Sequence, residues 1–188
     1  MRIITGEYRG RRLETPYGND VRPTGDKVRE SVFNLLMYDI DGAVFCDLFA
    51  GTGAIGLEAL SRGAEKAYFC DASRDSIRII KTNIEKCGAS ERSRVFACDY
   101  LSALRRIKEK VDIFYIDPPY NSGFYVPALE EIDSLDLLSE KGIIVAEHRA
   151  GESLPDLSGR LKAFKEKKYG HTKLTLYGYA RDDQKDNM

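Results

Sequence analysis

Asp47-Leu48-Phe49-Ala50-Gly51-Thr52-Gly53-Ala54-Ile55-Gly56 closes a β-rich run and opens a segment of helical period, and this junction decides the fold. Residues 44–49 read as a strand. Residues 53–62 place Ile55, Leu57, Ala59 and Leu60 on one side of a helix that Gly63 stops. Gly51 and Gly53 permit a tight turn and close approach of backbone to a ligand, and Gly56 permits close packing of the helix. Alone, a G-x-G-x-x-G turn is also a generic strand-to-helix connection. Its meaning comes from its surroundings.

Outward from this loop the same alternation repeats. Strands are expected at 66–70, 94–97, 111–116 and 142–147, and helices at 75–86 (Ile77, Ile80 and Ile84 on one face), 101–108 and 125–138. Residues 161–168 and 172–179 form a closing hairpin that turns at Tyr169-Gly170-His171, with Leu174 and Leu176 on one face and Tyr177 and Tyr179 on the other. Strands joined by crossover helices make an α/β fold with a mainly parallel sheet. Upstream, residues 2–5 and 11–15 flank 6–10 as a small β-hairpin, a separate piece outside the main sheet. The chain therefore divides into an extension (1–24), a main domain (25–180) and a polar tail (181–188).

Composition narrows the class. The 188 residues suit one domain with its own core. With 43% hydrophobic and 31% charged residues, low-complexity and disordered readings are excluded. No apolar run approaches the roughly 20 residues of a membrane helix. Residues 1–13 carry arginines without a following apolar stretch, so a secretory signal is not expected and a cytosolic protein is the default. Cys46, Cys70, Cys87 and Cys98 lack CxxC spacing, and His148 and His171 have no partners at ligand spacing, so neither a disulfide nor a metal is expected.

Asp71 lies about 20 residues beyond Gly51, where a carboxylate accepts from both ribose hydroxyls of an adenosine cofactor. That spacing serves NAD and S-adenosylmethionine alike. Asp47 separates them: beside a pyrophosphate it repels, beside a methionine ammonium it attracts, which favours S-adenosylmethionine. Cys98-Asp99-Tyr100 brings an acceptor for the adenine amino group and an aromatic face to the same edge. Asp99 also suits a helix N-cap, and the two roles are compatible.

The fourth strand ends in Asp117-Pro118-Pro119-Tyr120, a string expected by chance roughly once per thousand chains of this length. Two prolines stop the strand and stiffen a turn at the ligand-binding edge. This corner suits methylation of an exocyclic amine, whose lone pair is delocalised into its ring. Asp117 and the Pro118 carbonyl can accept its two N–H bonds, favouring the pyramidal, positively charging nitrogen over the planar ground state. Tyr120 can stack on a base held out of its helix. Phe124 is balanced between substrate and core.

The loop, Asp71, Asp99 and the tetrad together resemble class I S-adenosylmethionine-dependent amino-methyltransferases over residues 44–147. Arg2-Ile3-Ile4-Thr5-Gly6, Gly10-Arg11-Arg12-Leu13, Arg22-Pro23-Thr24 and Val28-Arg29-Glu30-Ser31-Val32-Phe33-Asn34 narrow this. They resemble the bacterial 16S rRNA guanine-N2-methyltransferase family over nearly the whole chain. That resemblance implies a Rossmann-like, seven-stranded sheet with helices on both faces. It also implies transfer of one methyl group to the 2-amino group of a specific guanine, on 16S rRNA or a 30S assembly particle; a monomer is expected. The Arg29–Glu30 helix would close over the cofactor. The tetrad is shared with adenine-amino-methyltransferases, so guanine rests on the N-terminal resemblance.

Net charge is −1, so RNA binding requires uneven charge placement. Arg2, Arg9, Arg11 and Arg12 against Glu7 give the first twelve residues a balance of +3, interleaved with Tyr8, and Arg22 extends the patch toward the pocket. A second basic run, residues 160–173, reads as a solvated strand face.

Overall fold

The computed structural model describes residues 1–16, 25–154 and 159–180. In chain order the elements are α1 (Asp26–Leu35), β1 (Val44–Asp47), α2 (Ala54–Ser61), β2 (Lys66–Asp71), α3 (Arg74–Cys87), β3 (Ser93–Ala97), α4 (Tyr100–Leu104), β4 (Val111–Ile116), α5 (Tyr125–Ser134), β5 (Leu138–Arg149), β6 (Leu161–Tyr169) and β7 (Thr172–Tyr179). The described strands form one seven-stranded sheet ordered β3-β2-β1-β4-β5-β7-β6. β1 to β5 run parallel, and β7 is antiparallel to β5 and β6. This is the α/β, Rossmann-like class I methyltransferase architecture expected above.

Strand period builds a core on each face of the sheet. Phe45, Phe69, Ile113, Val145, Leu174 and Leu176 point to one cluster, shared with α1, α2 and α3. Cys46, Tyr68, Phe114, Ile144 and Tyr177 point to the other, shared with α4 and α5. Both faces are covered, so the central strands are largely apolar, broken by Asp112 within β4 and by Asp47 at the end of β1. Gly56 permits this closeness, because a Cβ there would stand 2.4 Å from the Phe69 ring.

The largest departures from the expected boundaries, of four residues each, fall at three places. β5 begins at Leu138, because a register shift between Val111 and Ile113 lets it pair with β4 four residues earlier than the apolar run suggests. α4 ends at Leu104, and α5 ends at Ser134, where Asp136 turns the chain left-handed with φ 52°.

The N-terminal extension lies outside the sheet and packs onto the main core. Its hairpin is one antiparallel bridge, Arg2 to Arg12. Ile3, Tyr8 and Leu13 enter the main core. The fully buried Glu58 carboxylate on α2 accepts from Ile4 N–H (2.8 Å) and Thr5 N–H (3.0 Å). The Ser61 hydroxyl accepts from Tyr8 N–H (2.9 Å) and donates to the Thr5 carbonyl (2.6 Å). Gly6, at φ +86°, lies so close that a Cβ would overlap the Ser61 carbonyl at 1.7 Å. Fully buried Arg29 on α1 adds a tie, Nη2 donating to the Arg2 carbonyl (2.6 Å) and to Asp26 (3.0 Å). Arg22, Pro23, Thr24 and the tail 181–188 lie outside the described residues.

Candidate active site

The chain runs outward from β1 to β2 and β3, then returns to place β4 on the other side of β1. The loops after β1 and β4 therefore splay apart at the carboxyl edge, leaving the crevice where such sheets bind ligands. The glycine loop forms one wall and the Asp117 tetrad the other.

On the glycine side, Gly51 and Gly53 are left-handed (φ 55° and 76°), and α2 starts directly after Gly53. Nothing lies within 4 Å of where a Gly51 Cβ would stand, so bare backbone faces the crevice. Asp71 fastens this turn, Oδ2 accepting from Gly51 N–H (2.9 Å) and Oδ1 from Ser73 N–H (2.8 Å). Each oxygen retains a second lone pair for a ligand hydroxyl. Asp99 caps α4, with Oδ1 accepting from Ser102 N–H (2.9 Å) and Oδ2 from the Ser102 hydroxyl (2.6 Å). These bonds to Ser102 hold its carboxyl below the usual range.

Asp47 is of another kind. It is 2% exposed and accepts from Gly56 N–H at 3.2 Å. Burial pushes its carboxyl up to about 7, with the Asp71 charge adding to the rise and the Gly56 bond opposing it. A cation arriving beside it would draw it back to the ionised form.

On the tetrad side, Ile116 pairs with Ala146, so Asp117 and Glu147 follow as neighbours at the ends of β4 and β5. Burial raises the Asp117 carboxyl well above its ordinary range, and the charges of Glu147 and Asp47 push it further. Burial raises Glu147 too, against the lowering effect of the Tyr115 hydroxyl that donates to it. The Tyr125 hydroxyl donates to the Glu147 carbonyl at 2.6 Å. Pro118 is buried, while Pro119 and Tyr120 face outward. Asn121 (φ 58°) and Gly123 (φ 70°) then turn the chain back toward α5.

An aromatic group joins the walls. Tyr100 lies 5.3 Å from Phe49 and 5.0 Å from Phe124, and Phe49 stacks on Phe124 at 6.1 Å. Phe124 is half-buried within this aromatic group. Phe49, Tyr115, Tyr125, Glu147 and Arg149 are additions that the sequence reading does not single out. A polar residue ending a strand beside β4 is the available signal for Glu147; Phe49 stands openly inside the loop. His148 is buried and shares a 2.8 Å hydrogen bond with the Thr175 hydroxyl.

Arg2, Arg9, Arg11 and Arg12 are all exposed. Arg11 donates to the Lys86 carbonyl at 2.6 Å and lies 5.4 Å from the Tyr8 ring centroid. Tyr8 itself is 2% exposed, so the interleaved aromatic is core and not a stacking surface. Glu7 pairs with Arg92 at 2.7 Å, which removes the acidic residue of the patch from competition.

The residues fit S-adenosylmethionine: bare glycine backbone, a carboxylate at the end of β2 with lone pairs to spare, and a buried carboxylate suited to an ammonium. Fold and site together define a class I S-adenosylmethionine-dependent methyltransferase. Comparison with known proteins makes this particular. The family model described as Conserved hypothetical protein 95 matches residues 1–178, and the chain belongs to that family. The Escherichia coli (strain K12) protein named Ribosomal RNA small subunit methyltransferase D is 33% identical over 94% of this chain and 89% of its own. The Bacillus subtilis protein YlbH is 37% identical over 94% of this chain and 98% of its own. The solved structure of Escherichia coli yhhF superposes with a TM-score of 0.85 at 31% identity, covering 95% of this chain and 97% of that one.

Proposed function

We propose that the chain transfers a methyl group from S-adenosylmethionine to the exocyclic 2-amino group of a guanine in 16S rRNA, free or within a 30S assembly particle, as a cytoplasmic monomer. One observation carries this reading. A glycine loop with a buried carboxylate faces a carboxylate–proline notch across one crevice, in a chain 33% identical to a small-subunit ribosomal RNA methyltransferase. Among the described residues, no helix is long and apolar enough to cross a membrane.

When bound, S-adenosylmethionine supplies an electrophilic sulfonium methyl group. Asp47 would hold its ammonium, Asp71 its ribose hydroxyls, and Asp99 with Tyr100 its adenine, while Gly51 and Gly53 let it lie against the backbone. Asp117 and the Pro118 carbonyl orient the guanine amino group by accepting its two N–H bonds. As that nitrogen becomes pyramidal and positive, both acceptors hold it more strongly. Asp117, made more basic by burial and by Glu147, is placed to take the proton released when the amine has been methylated. Tyr120 stacks on the base. Arg2, Arg9, Arg11, Arg12 and Arg22 of the extension (residues 1–24) bind phosphates and set the approach of the RNA.

The test is incubation with methyl-labelled S-adenosylmethionine and, separately, 16S rRNA, 30S particles and duplex DNA. Label is expected in the RNA or the particle. Label confined to DNA adenine would replace this reading with an adenine-amino-methyltransferase.

A further inference from the structure

One face of the Tyr120 ring, to which the proposed function assigns the flipped base, carries a cation. The Arg149 guanidinium stands 4.2 Å from its ring centroid, although Tyr120 is 51% exposed. We propose that Arg149 is a gate and phosphate clamp. It covers Tyr120 in the free protein, yields that face to the incoming base, and pairs the freed guanidinium with a phosphate of the flipped nucleotide. This inference rests on the assignment of Tyr120 as the base platform.

The main chain of Arg149 is fixed. It pairs with Thr172 in the β5–β7 ladder, and its carbonyl accepts from Glu152 N–H at 2.9 Å. Only the side chain is free to swing. Among the described residues no ion pair holds it, so its charge is uncommitted apart from the ring beneath. An exposed cation–π contact favours the closed position by roughly 2- to 5-fold, whereas stacking a base on an aromatic ring is worth roughly 5- to 150-fold. The base therefore wins the face. The phosphates that flank a flipped nucleotide lie within a side chain's length of its base, and a planar guanidinium matches their oxygens in pairs.

The experiment compares wild type, Arg149→Ala, Arg149→Lys and Tyr120→Ala on 16S rRNA or 30S particles. It reads kcat, RNA affinity across a salt series, and cofactor affinity. Arg149→Ala should weaken RNA binding about 5- to 10-fold and flatten the log–log salt slope by about 0.7 to 0.9, one phosphate, with cofactor affinity within about twofold. Arg149→Lys should restore the slope, since an ammonium also binds phosphate. An unchanged slope in Arg149→Ala, or a loss confined to kcat, overturns the clamp. Unaltered kcat and RNA affinity in Tyr120→Ala would overturn the base platform instead, so the two failures are separable.

Discussion

The two walls of the crevice are built by different means. The glycine wall is made of short-range bonds within and between adjacent loops: Asp71 to Gly51 and Ser73, Asp99 to Ser102, Asp47 to Gly56. The tetrad wall depends on partners far away in the chain, with Glu147 bound by Tyr115 and Tyr125 and acting on Asp117. One wall is a shaped backbone that fixes a ligand. The other sets two carboxylates, Asp117 and Glu147, side by side with their basicity raised, which suits a step where a proton must leave. Substitutions should therefore separate affinity from rate.

The largest effect is expected at Asp117. Asp117→Asn keeps a hydrogen-bonding carbonyl and removes the charge, so kcat should fall roughly 10²- to 10³-fold, with cofactor affinity within about threefold. Single-turnover methyl transfer beside calorimetric cofactor titration measures both. A variant that loses cofactor instead would erase the distinction between the walls.

Asp47→Asn should do the reverse, weakening cofactor binding about 10- to 100-fold while transfer at saturating cofactor stays within several-fold. It carries a second signature in the cofactor-free protein. Folded Asp47 keeps its proton up to about pH 7, whereas an ordinary aspartate releases it near 3.8. Between those values the folded state binds the extra proton, so stability falls as pH rises from about 4 and the loss is complete above 7. That loss is of order 4 kcal/mol. Asp47→Asn should therefore melt several degrees above wild type at pH 8, the gap closing on acidification toward pH 4. Equal melting at pH 8 would remove the strained carboxylate.

The pH response itself separates the walls further. Binding a cation next to Asp47 requires its ionised form, so cofactor affinity should rise up to tenfold per unit toward pH 7 and then level, with proton release at lower pH. Calorimetry in two buffers of different ionisation enthalpy detects that proton. The tetrad wall should appear separately, as a rise of kcat with pH governed by the Asp117–Glu147 pair acting together. Identical profiles for affinity and kcat would mean a single group governs both.

The smallest effects belong to the extension. Arg9→Ala or Arg12→Ala should weaken RNA binding a few-fold and flatten the salt slope by about 0.7 to 0.9 each, leaving cofactor affinity alone. Gel-shift titrations across salt would show it. No change in either variant would move RNA recognition off this surface.

The same contrast explains what could be read from the chain. Gly51, Gly53 and Asp71 are legible because backbone geometry fixes their spacing in a strand–loop–helix unit. The alternation of strands and helices is legible because both faces of the sheet demand apolar residues at regular intervals. Glu147 and Tyr115 meet only through strand register, and β5 extends beyond its apolar run through a shift in pairing that no local pattern records. The extension reads as a hairpin outside the sheet, and its packing onto the core is not legible because it depends on Glu58 and Ser61, about 50 residues later. Arg149 has no local signal at all, since it ends β5 while its partner Tyr120 stands after β4.

The most direct measurement is nucleoside mass analysis of 16S rRNA or 30S particles after reaction with the wild-type protein and Asp117→Asn. One new N2-methylguanosine per rRNA is expected with wild type and almost none with the variant at equal cofactor occupancy. N6-methyladenosine in its place, or equal yields from the two proteins, would contradict it.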